Sequence, residues 1–175
     1  MKKSACLRVL VLDVHARHSG FAVFEGPNQL VDWGMLHYGT GSNGTARPAG
    51  AQAAKVIARS QPERLVITMP ANRTLAGNRL AAVAEAITGI AAQHHIPVRR
   101  LRRSQVLDDF GVRTRYAAAG QIAERFPSLG ARLPRRRKIW QSEQPIMSVF
   151  DAAAAALAYY RRYSRLDRSA DPLAA

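Results

Sequence analysis

The sequence has one cysteine, no long hydrophobic run and few acidic residues. Cys6 is the only cysteine among 175 residues, which excludes an intramolecular disulfide and a cysteine-based zinc site. We expect it to be buried as a small hydrophobic side chain at a strand start. No segment approaches the ~20 apolar residues of a membrane helix, and the first residues lead into a strand pattern, not a signal-peptide core. These absences predict a cytoplasmic protein that does not bind membranes.

The shortage of acidic residues leaves the chain strongly basic. Lys and Arg number 26 against 12 Asp and Glu, which gives a formal net charge of +14 and a sequence pI near 11.3. Such a surplus favours a polyanionic partner, either a nucleic acid or an anionic membrane surface. Because nothing else in the chain favours a membrane, the composition predicts a nucleic-acid-binding protein.

The length and the hydrophobic content of 47% suit one domain with its own core. The sequence contains no internal repeat and no linker long enough to divide it. We therefore predict one domain over residues 1–163, followed by a flexible C-terminal tail over residues 164–175.

Apolar periodicity predicts a meander of three strands, followed by helices that alternate with further strands. Residues 8–14 are almost continuously apolar and rich in β-branched side chains, which is typical of a strand buried on both faces. Short turns join this strand to the next two, which predicts antiparallel pairing. The predicted strands are 8–14, 21–24, 29–38, 65–68 and 98–103, and the predicted helices end near 59, 95, 126 and 162. This order indicates an α/β domain with a mixed sheet.

Several of these features together resemble the RuvC-type resolvases of the RNase H-like superfamily, over residues 8 to about 163. They are a first strand ending in Asp13, Gly20 at the second strand, a short strand ending at Thr68, and a late helix containing Asp151. Residues 110–114 and 137–143 are similar to a less studied bacterial branch of RuvC-like proteins. The resemblance implies an RNase H-like fold, with a mixed five-stranded sheet of three antiparallel strands and then two parallel strands, flanked by helices.

The same resemblance implies a metal-dependent endonuclease that hydrolyses DNA phosphodiesters with two Mg²⁺ or Mn²⁺ ions, commonly in branched recombination intermediates. It assigns Asp13 and Asp151 as catalytic residues and metal ligands. The family's glutamate and its third aspartate fall on Thr68 and Ser148. Because two dications need a cluster of carboxylates, these hydroxyl residues predict poor metal affinity.

The remaining acidic residues have competing interpretations. Glu143 is a candidate third catalytic carboxylate if the last helix starts at Pro145 and the preceding loop folds back, and a capping or salt-bridge residue otherwise. Asp13 ends an apolar strand, where an ionised carboxylate needs a partner or a metal. Asp151 could instead be a solvated carboxylate near a helix start.

Two further assignments concern another pair of aspartates and a histidine. Asp108 and Asp109 are predicted to cap the start of a helix. His15 follows Asp13 closely in the sequence and is a candidate phosphate contact. The five histidines do not show the spacing of a metal site.

Two basic clusters are predicted to contact nucleic acid. The first alternates along a strand and consists of Arg99, Arg100, Arg102 and Arg103. The second precedes the last helix and consists of Arg135, Arg136, Arg137 and Lys138, with Trp140 beside them. Arginines next to an aromatic ring suit backbone contact combined with base stacking. The alternatives are a solvated charge run and, for Trp140, a place in the core, which is the preferred interpretation for Trp33.

The sequence leaves three functions open. One is a RuvC-like nuclease, and the second is a catalytically inactive RNase H-like protein that binds nucleic acid. The third is an ATP-binding protein of the actin-like group, which the short chain disfavours because it lacks the duplicated half. The substrate (junction, flap or RNA) and the formation of a homodimer are also open.

Overall fold

The computed structural model describes residues 6–39, 44–70 and 75–163. The predicted flexible tail, residues 164–175, lies outside these ranges. Within them, no helix is both long enough and apolar enough to cross a membrane.

Five strands form one mixed sheet in the order β3-β2-β1-β4-β5. The strands are β1 Arg8–Val14, β2 His18–Glu25, β3 Leu30–His37, β4 Arg64–Met69 and β5 Val98–Arg102. The first three pair antiparallel as a meander, whereas β4 runs parallel to β1 and β5 runs parallel to β4. The predicted mixed sheet, with three antiparallel strands followed by two parallel strands, is therefore confirmed.

Helices cover both faces of this sheet. They are α1 Ala46–Ser60, α2 Leu75–Gln93, α3 Arg103–Phe110, α4 Arg115–Arg125, the short α5 Pro127–Gly130 and α6 Met147–Arg162. Leu10 and Leu12 of β1 pack in the core that contains α1 and α2. Val9 and Val11 pack in the second core, with α4 and α6. Strand β1 is thus buried on both faces, as its continuous apolar run predicts.

Helix α6 lies unusually close to the sheet where it crosses β2. A Cβ atom added to Gly20 would lie 2.2 Å from the carbonyl carbon and 2.3 Å from the carbonyl oxygen of Ser148. Both are backbone atoms, so the clash could be relieved only by moving the helix. Since Gly20 also pairs with Asp13 in the antiparallel register, the glycine fixes the first turn of α6 beside the end of β1.

Two local predictions are wrong, and one helix was missed. Helix α3 was not predicted; it starts at Arg103, so Asp108 and Asp109 lie in its last turn and not at a helix start. The only buried residue of α3 is Val106, which leaves no helical apolar pattern to detect. Cys6 is exposed, not buried, because β1 begins two residues later.

Candidate functional site

The candidate site lies at the edge of the sheet where three parallel strands end. Asp13 of β1 is in register with Thr68 of β4, and Thr68 with Leu101 of β5. The carboxyl ends of neighbouring parallel strands meet at one edge, and this edge is where open α/β sheets bind ligands. Arg103, the first residue of α3, leaves β5 at the same edge. The topology therefore gathers residues from distant parts of the chain around Asp13.

Asp13 has 0% exposure, and each of its carboxylate oxygens has a partner. Arg103 donates from Nη2 to Oδ1 over 2.8 Å, and the His15 ring approaches Oδ2 through Nε2 at 2.8 Å. The His15 ring also stacks on His18, with ring centroids 4.7 Å apart. These contacts satisfy a carboxylate that would otherwise be very costly to bury. The predicted phosphate contact of His15 stays a prediction.

Asp151 is the fifth residue of α6 and is only 8% exposed. Arg115 donates to Asp151 Oδ2 from Nε over 2.8 Å and also from Nη2. Nη2 of Arg103 lies 4.0 Å from the same oxygen, so the Arg103 guanidinium stands between the carboxylates of Asp13 and Asp151. The interpretation of Asp151 as a solvated carboxylate is therefore wrong, and the two predicted catalytic aspartates do share one buried centre.

The protonation of this centre reflects burial and the close approach of charges. Burial, and the nearby charge of Asp13, raise the pKa of Asp151 to about 6, although its bonds from Arg115 act in the opposite direction. Burial alone would lower the pKa of Arg115, but its bonds to Asp151 and the charge of Glu143 raise it above its usual value. Arg115 therefore stays a permanent cation in this site.

Glu143 lies on the loop before α6, as the prediction for a late helix start requires. Its carboxylate accepts a hydrogen bond from Nη1 of Arg115. One guanidinium thus ties Glu143 to Asp151, which confirms the salt-bridge role. A catalytic role for Glu143 stays a prediction.

Thr68 and Ser148 carry hydroxyl groups at the two positions where the RuvC-type resemblance implies acidic residues. The two hydroxyl groups differ in their surroundings. Ser148 Oγ donates to the carbonyl oxygen of Pro145 over 2.7 Å, so this hydroxyl is used at the start of α6. Thr68 Oγ1 is buried and has no hydrogen-bond partner within the described part of the chain. Neither side chain adds negative charge to the centre.

These residues do not fit a site for two divalent ions. Such a site needs several anionic oxygens around ions about 3.5–4 Å apart, whereas here two guanidinium groups lie against the carboxylates of Asp13, Asp151 and Glu143. Over residues 6–39, 44–70 and 75–163, no group of three or more His, Cys, Asp or Glu side chains is arranged to hold a metal ion. The centre is an ion-pair network.

A cavity of about 630 Å³ adjoins this network and contains the second basic cluster. Glu143, Arg115 and Arg103 form the side of the cavity nearest Asp151. Apolar side chains also line it, among them Leu107, Pro134 and Met147. The cavity therefore offers both cationic and apolar surface.

Trp140 stands at the end of the second basic cluster. It is 79% exposed, and Nζ of Lys138 lies 5.4 Å from the centre of its ring. The interpretation of Trp140 as a core residue is wrong, whereas Trp33 does pack, half-buried, against the core.

The first basic cluster does not form one continuous surface. Arg100 pairs with Glu85 at 2.6 Å, and the Arg99 guanidinium lies 4.2 Å from the centre of the Tyr163 ring. Arg102 is exposed at the edge of the sheet, whereas Arg103 turns into the carboxylate centre. Nucleic-acid contact by these residues stays a prediction.

The sequence did not predict that Arg103 and Arg115 would bind the carboxylates at the centre of the site. Arg103 ended a predicted strand parallel to the strand of Thr68, so its arrival at the same sheet edge could have been anticipated. Arg115 directly follows the segment 110–114 that carried part of the family resemblance. Its bond to Asp151, 36 residues away, has no local signal.

Comparison with known proteins identifies the fold. No family model matches the chain, and no curated protein matches it. Among solved structures, Thermus thermophilus RuvC in complex with a Holliday junction substrate is similar over 92% of this chain and 96% of its own, with 16% identity and a TM-score of 0.67.

Two further solved structures resemble the chain. The yeast mitochondrial Holliday junction resolvase covers 94% of this chain and 82% of its own, with 11% identity and a TM-score of 0.65. The fowlpox virus resolvase, solved with Holliday junction DNA, covers 86% and 97%, with 12% identity and a TM-score of 0.51. The chain therefore has the RNase H-like fold of the RuvC-type Holliday junction resolvases.

Proposed function

We propose that this chain is a RuvC-like protein that binds branched DNA, with the DNA backbone lying over the cavity beside Asp13 and Asp151. The proposal rests on the charge of this cavity: among the described residues that line it, seven are basic and Glu143 alone is acidic. The basic residues are Arg103, Arg113, Arg115, Arg135, Arg136, Arg137 and Lys138. Arg103 and Arg115 are paired with the carboxylates of the centre, and the other five basic residues can attract phosphates and release the counterions that surround DNA.

Branched DNA fits this surface better than a continuous duplex. A branch point exposes base faces that a duplex keeps stacked, and an exposed aromatic ring next to cations can stack on such bases. Trp140 is exposed beside Lys138 and offers that ring at the end of the basic cluster. The likeness to resolvases solved with junction DNA supports the same substrate class.

A metal-dependent endonuclease is the second candidate. In that case Asp13, Asp151 and Glu143 would be the catalytic carboxylates and Mg²⁺ or Mn²⁺ the cofactor. The observation in its favour is that the fold brings Asp13 and Asp151 into one centre and ties Glu143 to it through Arg115. Against it stand the hydroxyls at positions 68 and 148 and the two guanidinium groups, so binding without cleavage is the function that the geometry supports best.

A single set of assays separates these functions. Labelled four-way junction, flap, continuous duplex and single-stranded RNA would be incubated with the wild-type chain and the Asp13→Asn variant, in Mg²⁺, Mn²⁺ or EDTA. We expect tighter binding to the junction than to the duplex, and no cleavage under any condition.

Two outcomes would change the proposal. Metal-dependent cutting by the wild type that disappears in Asp13→Asn would establish the nuclease. Equal affinity for the junction and the duplex would contradict a branched substrate.

A further inference from the structure

We propose that Arg103 and Arg115 are the built-in counter-ions of the Asp13–Asp151 centre, so that the centre does not bind divalent metal while both arginines are in place. This inference concerns the chain alone and does not depend on DNA binding. It rests on burial, on the placement of charge and on the occupied carboxylate oxygens.

Burial makes a cation in this centre necessary. Asp13 is 0% exposed and Asp151 8% exposed, and a buried carboxylate must be paired, bind a metal or take up a proton. A divalent ion would meet this need. Here two guanidinium groups, with a combined charge of +2, supply the charge of one divalent ion.

Both oxygens of Asp13, and one oxygen each of Asp151 and Glu143, already have partners. Arg103 bonds Oδ1 of Asp13 at 2.8 Å, and His15 contacts Oδ2 at 2.8 Å. Arg115 makes two bonds to Oδ2 of Asp151 and one to Glu143. A metal ion would have to displace these groups, because a cation and a guanidinium cannot share the same short contacts without strong repulsion.

The rest of the Arg103 guanidinium shows what holds this side chain in place. Its Nε is buried and has no hydrogen-bond partner among the residues that the structure describes. Leaving a buried N–H unpaired is unfavourable, so Arg103 is held mainly by its attraction to Asp13 and Asp151. The position is therefore that of a counter-ion, and a different cation could replace it once the side chain is shortened.

The test measures Mn²⁺ binding and thermal unfolding in the absence of DNA. Free Mn²⁺ is followed by its electron paramagnetic resonance signal, and unfolding by circular dichroism in EDTA or in Mn²⁺ at matched ionic strength. The wild-type chain should leave the Mn²⁺ signal unchanged and should unfold at the same temperature in both solutions.

The Arg103→Gln/Arg115→Gln variant should behave in the opposite way. It should unfold at a lower temperature in EDTA, since its carboxylates have lost their cations, and Mn²⁺ should restore much of the loss by binding the folded state. Its affinity for Mn²⁺ should exceed that of the wild type by at least roughly tenfold, a difference of about 1.4 kcal/mol. Adding Asp13→Asn to this variant should abolish the gain.

A matched variant controls for the lost charge. Arg47→Gln/Arg79→Gln removes two exposed cations from α1 and α2, on the opposite side of the sheet, and should gain no Mn²⁺ affinity. If the double variant is unfolded in EDTA, Arg115→Gln alone serves as the second test, because it frees Asp151 and Glu143 while Arg103 stays on Asp13.

Two results would overturn the proposal. One is Mn²⁺ binding by the wild type with an affinity equal to that of the arginine variants. The other is a folded Arg115→Gln or double variant that takes up no Mn²⁺.

Discussion

Gly20 and Ser148 meet where β2 passes beneath the first turn of α6. The Gly20→Ala substitution should destabilise the protein by about 2 kcal/mol or more, since its Cβ would meet backbone atoms that cannot turn aside. The same shift of α6 should move Asp151 away from Arg103 and Asp13. Urea unfolding, monitored by circular dichroism, would measure the loss in the free energy of unfolding.

A glycine in open space provides the control for this prediction. Among the described residues, nothing lies within 4 Å of a Cβ added to Gly89 in α2. Gly89→Ala should stabilise the protein by roughly 0.5–1 kcal/mol, because alanine loses less backbone entropy than glycine in a helix. Equal effects of the two substitutions would contradict the close contact between β2 and α6.

His18, which lies close to the site, makes stability depend on pH. Burial, followed by the charges of His15 and His37, lowers the pKa of His18 from 6.5 to about 4. Between these values the unfolded chain binds a proton that the folded chain does not, so His18 makes stability fall as the pH falls from 6.5 to 4. Asp151 has the opposite effect, because its pKa is raised from 3.8 to about 6 and its folded form binds the extra proton.

A comparison of the wild type with the His18→Gln variant isolates the contribution of His18 to the pH dependence of stability. The free energy of unfolding, measured in urea at pH 7 and pH 5, should fall less between these pH values in His18→Gln than in the wild type. The Asp151 contribution is common to both proteins and cancels. Identical pH dependence in the two proteins would show that His18 does not carry this effect.

The site residues differ in how far the sequence could predict them. Asp13 was predictable because it ends an apolar strand, and Asp151 because it matches a position of the family that the chain resembles. The Arg103 contact to Asp13 spans 90 residues and the Arg115 contact to Asp151 spans 36. No local pattern encodes contacts at these separations, since they follow only from the way the strands and helices pack.

At the scale of elements, the start of α4 positions Arg115. The Thr114 side chain caps α4 by accepting a hydrogen bond from the backbone N–H of Ala117 at 3.2 Å, and Arg115 is the next residue. Thr114→Ala should cost about 1 kcal/mol of stability through loss of this cap. Thermal or urea unfolding of the wild type and of Thr114→Ala would measure this difference in stability.

Thr114→Ser is the matched variant, because serine keeps the capping oxygen. It should retain most of the stability that Thr114→Ala loses. If serine and alanine destabilise the protein equally, the hydroxyl does not act as a cap and the threonine methyl group is the important feature.

The elements that periodicity predicted are those with many buried residues. Strand β1 and helix α6 bury almost all of their side chains, so their apolar patterns were clear. Helix α3 buries only Val106 and begins directly after a strand; its start is marked by a hydrogen bond from the Arg102 N–H to the Gln105 side chain. Such a short, solvent-facing helix depends on local bonds that a hydrophobic pattern does not reveal.

At the scale of the whole molecule, the charge is distributed unevenly around the sheet. The seven basic residues of the cavity lie on the side of α3, α4 and α6, whereas α1 and α2 cover the other side. A net charge of +14 predicts binding to polyanions in general, but it cannot say which side binds. The fold places the basic cavity next to Asp13 and Asp151, and we therefore propose that DNA binds on that side.

The salt dependence of junction binding is the sharpest test of where DNA lies on the protein. The logarithm of the affinity for a four-way junction would be measured against the logarithm of the salt concentration for two triple variants with equal loss of charge. Arg135→Gln/Arg136→Gln/Arg137→Gln alters the cavity, and Arg47→Gln/Lys55→Gln/Arg79→Gln alters exposed positions on α1 and α2.

We expect the cavity variant to bind more weakly, with a salt slope shallower by about 0.9 for each phosphate that its side chains no longer neutralise. The variant on α1 and α2 should keep the wild-type slope. Equal slopes for both variants would contradict the claim that DNA lies over the basic cavity beside Asp13 and Asp151.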